Sequence, residues 1–415
     1  MYKIFKEFPL PERPEIPQNE INILDFGVKN DGICKNTQAI ENAIDKLSAS
    51  GGGKLIFPEG KYLTGPIVFK DNIELHLKEG AEILFSTDFE DFMPPRYMQR
   101  GGVRCYAVSP LLYSYKVKNI AVTGKGTLNG NGHFWWPMQQ NQPGMDMLAD
   151  MCKNRTPLEE RVFDKIEYGI RPPFIQFLNS ENILIEGVTV INSPSWTIHP
   201  VYCKNIIISG ITLNSPVEAK NSDGIDPDSC ENVLIENCRI HTGDDAFALK
   251  AGRNEDAWDV NIPTKNVLVR NCDVTMSRGG LSVGSEMSAG VENVLFENCT
   301  LDDTNGGIRL KANRVRGGYI RNIECRNITL KKMNQQAIQL TLRYSGCNPV
   351  EGCEDRISHL ENVYIENVTC ESAPVGIEVS GLKERPVKNV TIKNVRINAD
   401  VDKIIEDVEN VITEN

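Results

Sequence analysis

One short pattern recurs nine times along the chain: an asparagine, an aliphatic residue, alternating apolar positions, and then asparagine or glycine. Copies begin at Asn119, Asn182, Asn205, Asn232, Asn266, Asn293, Asn322, Asn362 and Asn389. From Asn182 onward the intervals are 23, 27, 34, 27, 29, 40 and 27 residues. Each copy has the period-two alternation of a strand and is too short to bury its own apolar face. Successive copies must therefore stack on one another.

Repeat intervals in the twenties, with strand signals and no helix signal, predict an all-β parallel solenoid of one domain. The variable intervals predict loops of different length at one corner of each coil. We expect the recurring asparagine to form a ladder at a bend, its amide pairing with the coils above and below. The alternative is a solvent-exposed turn asparagine.

Three segments depart from the repeat. Residues 1–20 are predicted to form an N-terminal extension, and residues 21–415 the β-helix. Within residues 21–60, a helix from Thr37 to Ser48 has an apolar face, can be capped by Asn36 or Thr37, and ends at Gly51–Gly53. We expect it to cover the open end of the stack. Residues 132–173 break the rhythm and are predicted to form a long loop or lid.

Composition narrows the class of protein. The net charge of −11 disfavours nucleic acid as a partner. No run of about 18 apolar residues exists, so no membrane partner is expected. The first residues contain no apolar leader, which favours a cytoplasmic location. The oligomeric state stays open.

Twelve cysteines are present. Cys238, Cys272 and Cys299 occupy the same place in three repeats, which indicates reduced thiols buried in the core. Cys347 and Cys353 are the first pair to consider for a disulfide. The five histidines do not cluster as zinc ligands would, so no metal is predicted.

Several polar residues fall at similar distances from the repeat asparagine and are expected to form one column on one face. These are His199, Asp223, Asp244, Asp245, Arg309, Lys311 and Tyr344. Adjacent coils lie about 4.8 Å apart, so the column would line a groove.

Crowding of Asp223, Asp244 and Asp245 would raise the pKa of at least one carboxyl. A protonated acid beside an ionised base is what glycoside hydrolysis requires, with the carboxyls about 6.5–9.5 Å apart if water lies between them. A calcium site or a solvated acidic corner is the alternative. Arg309 and Lys311 alternate, so both point to one side and can hold a sugar carboxylate or balance charge within the column.

At these positions the chain resembles glycoside hydrolase family 28, the polygalacturonases. The family's motifs appear as Asn221-Ser222-Asp223, Gly243-Asp244-Asp245, Arg309-Leu310-Lys311 and Tyr344. The resemblance implies a right-handed parallel β-helix of the pectin-lyase type that hydrolyses α-1,4-linked galacturonic acid with inversion, without a cofactor.

The resemblance also implies residue roles. Asp244 would be the general acid, and Asp223 with Asp245 would activate water. Substrate-binding residues would be Asn221, Arg309, Lys311 and Tyr344. His199 is added to the substrate-binding residues from its place in the column. The substrate would be an acidic pectic oligosaccharide or polysaccharide.

One departure from the family pattern is noted at Val283, which is aligned with the histidine of the family's Gly-His-Gly element. His199 is a conceivable substitute. The stretch GSEMSAG resembles the bacterial exo-acting branch. We expect the insertion at 132–173 and the Phe89–Tyr106 loop to wall off one end of the groove, which favours exo over endo action.

Three alternatives remain open at this point. The first is a pectate-type lyase, which shares the architecture and uses acids to bind calcium. The second is a hydrolase of another pectic linkage, such as rhamnogalacturonan. The third is a non-catalytic carbohydrate-binding β-helix.

Overall fold

The computed structural model describes residues 10–344 and 356–414. The backbone winds into a right-handed parallel β-helix with three parallel faces, which we call the back, side and cleft sheets. Each sequence repeat begins a strand of the back sheet, and each strand pairs in register with the equivalent strand one coil away. The predicted fold class is confirmed.

The strands of the back sheet are Glu20–Asn22, Gly53–Phe57, Ile73–Leu77, Lys118–Gly124, Glu181–Glu186, Lys204–Ser209, Glu231–Glu236, Thr264–Arg270, Val291–Glu297, Tyr319–Lys332, His359–Ser380, Val387–Glu406 and Val408–Glu414. The side sheet contains Gly60–Thr64, Ala81–Phe85, Thr127–Asn129, Thr189–Ile191, Thr212–Asn214 and Arg239–His241. The cleft sheet contains Ile67–Val68, Leu112–Tyr115, Ile175–Leu178, Phe247–Leu249 and Gln336–Thr341. The long strands Asp273–Val283 and Thr300–Lys311 run from the side sheet into the cleft sheet. In the later coils, Tyr319–Lys332 continues from the back sheet into the side sheet, and His359–Ser380 and Val387–Glu406 continue through to the cleft sheet.

The repeat asparagines form a continuous ladder. Each Nδ2 donates to the Oδ1 of the asparagine one coil earlier, from Asn119 on Asn72 to Asn410 on Asn389, at 2.9–3.2 Å. These residues have φ between 53° and 61°. Asparagine tolerates this left-handed region better than most residues because its short polar side chain bonds locally. The ladder prediction is confirmed.

Alternation along each strand fills the interior. In the back sheet, Ile183 and Ile185 point into the core and are 1% exposed. The residue between them, Leu184, points outward. It stacks with the equivalent residues of neighbouring coils in a second aliphatic row on the outer surface. Ile16 of the N-terminal extension packs on that row, and Arg13 pairs with Glu186. The described part of the extension, residues 10–20, therefore lies along the outside of the back sheet.

Helix α1 spans Thr37–Ala49, and its buried face consists of Ile40, Ala43, Ile44 and Leu47. It packs on the first strands of the stack, as expected for a cap. The predicted side-chain cap is wrong. Asn36 occupies the N-cap position, but its side chain bonds to Lys29, Cys34 and Leu63 rather than to the helix. Asn36 thus ties the helix to the neighbouring coil.

The segment 132–173 is more ordered than the predicted loop. It contains helix α2, Pro143–Lys153, and short 3-10 turns at Gly132–Phe134, Trp136–Gln140, Leu158–Glu160 and Ile166–Tyr168. Further 3-10 turns lie at Ile23–Phe26 and Phe89–Phe92. Helix α2 packs on helix α3, Asn254–Val260, and on a hairpin formed by Arg96–Arg100 and Val103–Ala107. This assembly lies beside the cleft sheet.

The ten cysteines within the described ranges carry free thiols, and all of them except Cys34 are buried. Cys238, Cys272 and Cys299 stack in the core as predicted. Cys347 and Cys353, proposed as a disulfide pair, lie outside the described residues. Among residues 10–344 and 356–414, no helix combines the length and apolar character needed to cross a membrane.

Candidate active site

The cleft sheet presents its polar side chains by strand alternation. Phe247, Leu281, Ile308 and Ile338 are in register and point into the core. The residues that follow them point outward, because successive side chains of a strand face opposite sides. Arg309 follows Ile308, and Lys311 follows the core residue Leu310. Both therefore lie on one face, as the sequence predicted.

Three carboxylates converge on this face. Asp223, Asp244 and Asp245 each offer an oxygen, and these oxygens lie within 4.8 Å of one another. Their coils are held together by the Gly224 N–H donating to the carbonyl of Asp245 at 2.8 Å. All three are buried, with exposures of 4%, 9% and 2%. Acids from neighbouring coils therefore form one cluster.

The spacing is shorter than the 6.5–9.5 Å expected from the sequence. The nearest oxygens are close enough for one water to donate a hydrogen bond to each of two carboxylates. A water with two bonds of about 2.8 Å joins acceptors roughly 4.4 Å apart. The cluster can hold an attacking water without a wider gap.

Two cations lie against one of the acids. Lys311 Nζ donates to Asp245 Oδ2, and Arg309 Nη1 lies 3.6 Å from Asp245 Oδ1. The ring of Tyr344 lies over both, 5.2 Å from Lys311 Nζ and 6.0 Å from the Arg309 guanidinium carbon. Burial opposes ionisation of Asp245, but Lys311 and Arg309 outweigh it and hold the pKa of Asp245 below its usual value. Asp245 is thus the ionised member of the cluster.

The other two acids behave in the opposite way. Burial, together with the charges of Asp244 and Asp245, raises the pKa of Asp223 to about 7. Burial and the charge of Asp245 also raise the pKa of Asp244. Because Asp223 and Asp244 interact, they titrate as a pair and share one proton over a range of pH. The cluster therefore offers one ionised base and one available proton.

Asn221 connects the cluster to the cleft wall. Its Oδ1 accepts from Arg171 Nη2 at 2.9 Å, and its Nδ2 donates to Asp244 Oδ2 at 3.5 Å. Arg171 is completely buried and also donates to two backbone carbonyls. The structure therefore gives Asn221, predicted to bind substrate, a direct contact with the Asp244 carboxyl.

His199 was predicted to contact substrate, and this prediction is wrong. Its side chain is 0% exposed. Its Nδ1 bonds to Gln176 at 2.8 Å, its Nε2 lies 3.4 Å from Asp228, and its ring packs edge-on against Trp196. Burial, together with the charges of Lys250 and Arg100, lowers the pKa of His199, and Asp228 offsets this only in part. His199 is a neutral structural residue under the cleft, so it replaces no catalytic histidine.

Val283 also lies elsewhere than predicted. It is 0% exposed and points into the core, in register with Leu249 and Leu310. On this coil, the backbone at Gly279 lies directly against the acids. A Cβ added there would lie 2.4 Å from Asp245 Oδ1 and 3.1 Å from Arg309 Nη1. A side chain at 279, not at 283, would contact the acid cluster.

A hairpin crosses the groove on the side of the earlier coils. Gln99 lies in its first strand, and its backbone exchanges hydrogen bonds with the side chain of Gln176 at 2.8 and 3.2 Å. Gln176 is the residue held by His199. The buried histidine therefore fixes the hairpin in place over the cleft floor.

The far side of the hairpin is fixed to helix α3. Arg104 donates to Asp256 from its backbone and guanidinium, each at 3.0 Å, and Arg161 adds a bond of 2.8 Å. The Arg253 N–H donates to the hairpin-tip carbonyl of Gly102 at 2.8 Å. The hairpin thus spans from the cleft floor to the opposite wall. The predicted wall at one end of the groove is formed mainly by this hairpin and helices α2 and α3.

The other side of Asp244 opens into a cavity of 510 Å³. Its lining includes Gln139, Lys220, Arg278, Asn305 and Asn334. Arg278 Nη1 lies 3.8 Å from Asp244 Oδ2, and its side chain is 63% exposed. The groove is therefore polar and open toward the later coils.

Sequence reasoning missed several charged residues around the acids, namely Arg100, Arg171, Asp226, Lys250 and Glu286. Strand alternation offered a signal for some of them. Lys250 follows Ala248 by two positions in the strand-like FALK, and Asp226 follows Asp223 by three in a repeat corner. No signal pointed to Arg100, which reaches the site from the hairpin.

The acid trio is also a geometry that can hold a cation. Asp223 lies 3.3 Å from Lys250, and Asp245 contacts Lys311 and Arg309. Three internal cations already compensate the three carboxylates. This charge balance favours proton chemistry over binding of a divalent ion.

Buried carboxyls with opposite pKa shifts, beside cations in a polar groove, form the arrangement that glycoside hydrolysis uses. The family described as Glycosyl hydrolases family 28 matches residues 161–414, and the family described as Rhamnogalacturonase A/epimerase, pectate lyase-like, matches residues 20–142. The chain belongs to glycosyl hydrolase family 28.

Three similar proteins illustrate the relationship. The crystal structure of a hyperthermoactive exopolygalacturonase from Thermotoga maritima is 39% identical, with a TM-score of 0.90, covering 98% of this chain and 94% of that one. A probable polygalacturonase of Vitis vinifera is 31% identical over 385 residues, 91% of this chain and 74% of that protein. An exo-poly-alpha-D-galacturonosidase of Dickeya chrysanthemi is 27% identical over 357 residues, 79% of this chain and 58% of that protein.

Proposed function

We propose that this glycoside hydrolase removes galacturonic acid units from the end of α-1,4-linked polygalacturonate and its oligosaccharides. The observation that carries the proposal is the meeting of three buried aspartates with Lys311 and Arg309 in a groove crossed by a hairpin. The Thermotoga and Dickeya proteins, both named for exo action on galacturonan, support the same substrate.

In the proposed mechanism, Asp244 protonates the leaving oxygen, and Asp245 with Asp223 activates water. The raised pKa of Asp244 supports its role as acid, and the lowered pKa of Asp245 supports its role as base. Asn221 keeps the Asp244 carboxyl turned toward the groove. Water attacks from the face opposite the leaving group, so the anomeric configuration inverts.

The cations supply recognition of an acidic sugar. Arg309 and Lys311 place two positive charges beside the acids, and the Tyr344 ring covers them. A galacturonate carboxylate can pair with these donors while its ring packs against the tyrosine. A neutral sugar gains only the packing. This arrangement supports galacturonan over neutral glycans.

The hairpin supports attack at a chain end. An endo enzyme needs a groove open on both sides of the scissile bond, whereas here the earlier-coil side is blocked by the Arg104–Asp256 contact. The open cavity beside Asp244 leaves room for the rest of the chain on the other side. Short products are therefore expected.

Product analysis on trigalacturonate and on long polygalacturonate tests the proposal. We expect galacturonate as the only early product, with proton NMR showing inversion in the first-formed anomer. Ultraviolet-absorbing unsaturated sugars would identify a lyase instead. A mixture of long oligomers at early times would establish endo action, and cleavage of rhamnogalacturonan alone would establish another linkage.

A further inference from the structure

A buried lysine lies beneath the acid cluster and has no place in the mechanism above. Lys250 is 2% exposed. Its Nζ lies 3.3 Å from Asp223 Oδ2, 3.5 Å from Glu286 Oε2 and 3.8 Å from Asp226 Oδ2. The nitrogen also lies over the Trp196 ring, 4.2 Å from its centroid. A lysine held by three acids and an aromatic face has one fixed position.

The three acids come from the two coils on either side of Lys250. Asp223 and Asp226 lie one coil earlier, and the carbonyl of Glu286, one coil later, accepts from the Ala251 N–H at 2.7 Å. Burial opposes the charge on Lys250, but Asp226, Asp223 and Glu286 outweigh it and raise its pKa well above the usual value. Lys250 is therefore a permanent positive charge at the Asp223 carboxylate.

Asp226 differs from Asp223 in its surroundings. It is 0% exposed, and neither of its oxygens has a hydrogen-bond partner within the described part of the chain. Burial raises the pKa of Asp226 well above its usual value.

Other charged groups of both signs also face Asp223. The negative groups facing it are Asp226, Asp244 and Asp245, and the positive groups are Arg100, Arg171 and Lys311. Asp244 has different cations: Lys311 lowers its pKa most, and Arg278, 3.8 Å away, is mostly exposed to solvent. Lys250 is thus the foremost charge acting on Asp223 but only a minor one for Asp244.

We propose that Lys250 is a positioning residue that favours the ionised form of Asp223 and so shifts the shared proton toward Asp244. The inference rests on the proposed roles of these two acids. Lys250 therefore determines which of the two carboxyls acts as the general acid. Glu286 keeps Lys250 in place, and Asp226 fills the space beside it.

The test compares Lys250→Met with Lys250→Arg over the full pH range of kcat/KM. Loss of the cation makes both protons of the Asp223–Asp244 pair harder to remove, so the whole profile moves to higher pH. We expect kcat at the optimum to fall at least about tenfold, with KM nearly unchanged. Lys250→Arg should restore the position of the profile. Lys265→Met, which removes a surface partner of Glu231 on the back sheet, is the matched control.

A structural role for Lys250 predicts a different result. If Lys250 only compensates buried negative charge, the double variant Lys250→Met/Asp226→Asn should recover both stability and the pH profile. Under our proposal the double variant recovers stability alone. The double variant also allows the pH profile to be measured if Lys250→Met alone does not fold. An unchanged profile in Lys250→Met, or full recovery in the double variant, overturns the proposal.

Infrared titration of the carboxyl band locates the proton independently of activity. In the parent enzyme near neutral pH, we expect the band of the protonated carboxyl to disappear when Asp244→Asn is added. In Lys250→Met, we expect this band to disappear when Asp223→Asn is added instead. If the protonated carboxyl belongs to the same residue in the parent and in Lys250→Met, the proposal is contradicted. A parent enzyme that titrates as expected but releases no galacturonate would instead count against the proposed function alone.

Discussion

The back sheet and the cleft sheet share one coil geometry but treat their polar groups in opposite ways. In the back sheet every step of the ladder from Asn119 to Asn410 pairs an amide with the next coil. On the cleft side, Asp223 Oδ1, Asp245 Oδ1, Ser282 Oγ and both oxygens of Asp226 are buried without a hydrogen-bond partner in the described ranges. Native proteins leave few such groups unpaired. The contrast teaches that the ladder stabilises the fold, while the cleft holds polar atoms for water and substrate.

The largest effect should come from the proton donor in the cleft. Asp244→Asn keeps the shape of the side chain but removes the acid, so kcat should fall by about 10²–10⁴-fold. The melting temperature should stay the same or rise, because a buried carboxyl in a crowded acid cluster is replaced by a neutral amide. Steady-state kinetics and thermal unfolding measure the two quantities. Activity within a few-fold of the parent would remove Asp244 from the acid role.

The next effect concerns the carboxylate-binding cation. Arg309→Ala removes charge-assisted hydrogen bonds worth about 1.5–3 kcal/mol, so KM for trigalacturonate should rise by about 10- to 100-fold. Binding of a neutral oligosaccharide should change much less. Arg270→Ala, which removes a back-sheet pair with Glu236, is the control. Equal losses for acidic and neutral sugars would exclude a carboxylate role.

The pH profile should report the shared proton. The active form carries one proton on the Asp223–Asp244 pair, so activity falls as pH rises through about 7, where that proton is lost. It also falls at low pH, where a second proton binds. Asp223→Asn removes a negative neighbour, which lowers the pKa of Asp244 and moves the alkaline limb to lower pH. If the alkaline limb does not move, Asp223 and Asp244 do not titrate as a pair, and the prediction fails.

Loosening the hairpin should change products more than rate. Arg104→Ala removes two side-chain bonds across the groove to Asp256. We expect kcat to change only several-fold, with longer oligomers appearing among early products of polygalacturonate. Arg155→Ala, which removes an exposed pair with Asp259 on the same helix, should leave the product pattern intact. Galacturonate as the only product of both variants would show that the hairpin does not set the cleavage mode.

The smallest effect on catalysis should come from the ladder. Asn266→Ala removes a donor and an acceptor and puts alanine at φ 59°. The free energy of unfolding should fall by about 2 kcal/mol, with kcat unchanged. Asn266→Gly separates the two causes, because glycine accepts this φ without strain. A change in kcat would mean that the two sheets are not independent.

How far the sequence predicts this molecule depends on the range of the interactions. Spacing along the chain predicts the fold and the ladder, because equivalent positions stack from coil to coil. For the same reason, spacing predicts that one face carries Asp223, Asp244, Asp245, Arg309 and Lys311.

Other features depend on distant contacts. Val283 was placed in the cleft by motif alignment, although strand alternation buries it and brings Gly279 to the acids. His199 shares the column but is covered by the hairpin that its partner Gln176 binds.

The most direct test of the central claim is a crystal structure of the Asp244→Asn variant with trigalacturonate bound. The account predicts the scissile glycosidic oxygen within hydrogen-bond distance of residue 244. It also predicts a water between Asp223 and Asp245 on the opposite face of the sugar, and a galacturonate carboxylate on Arg309 and Lys311. A sugar bound away from this cluster, or a glycosidic oxygen on Asp223, would contradict it.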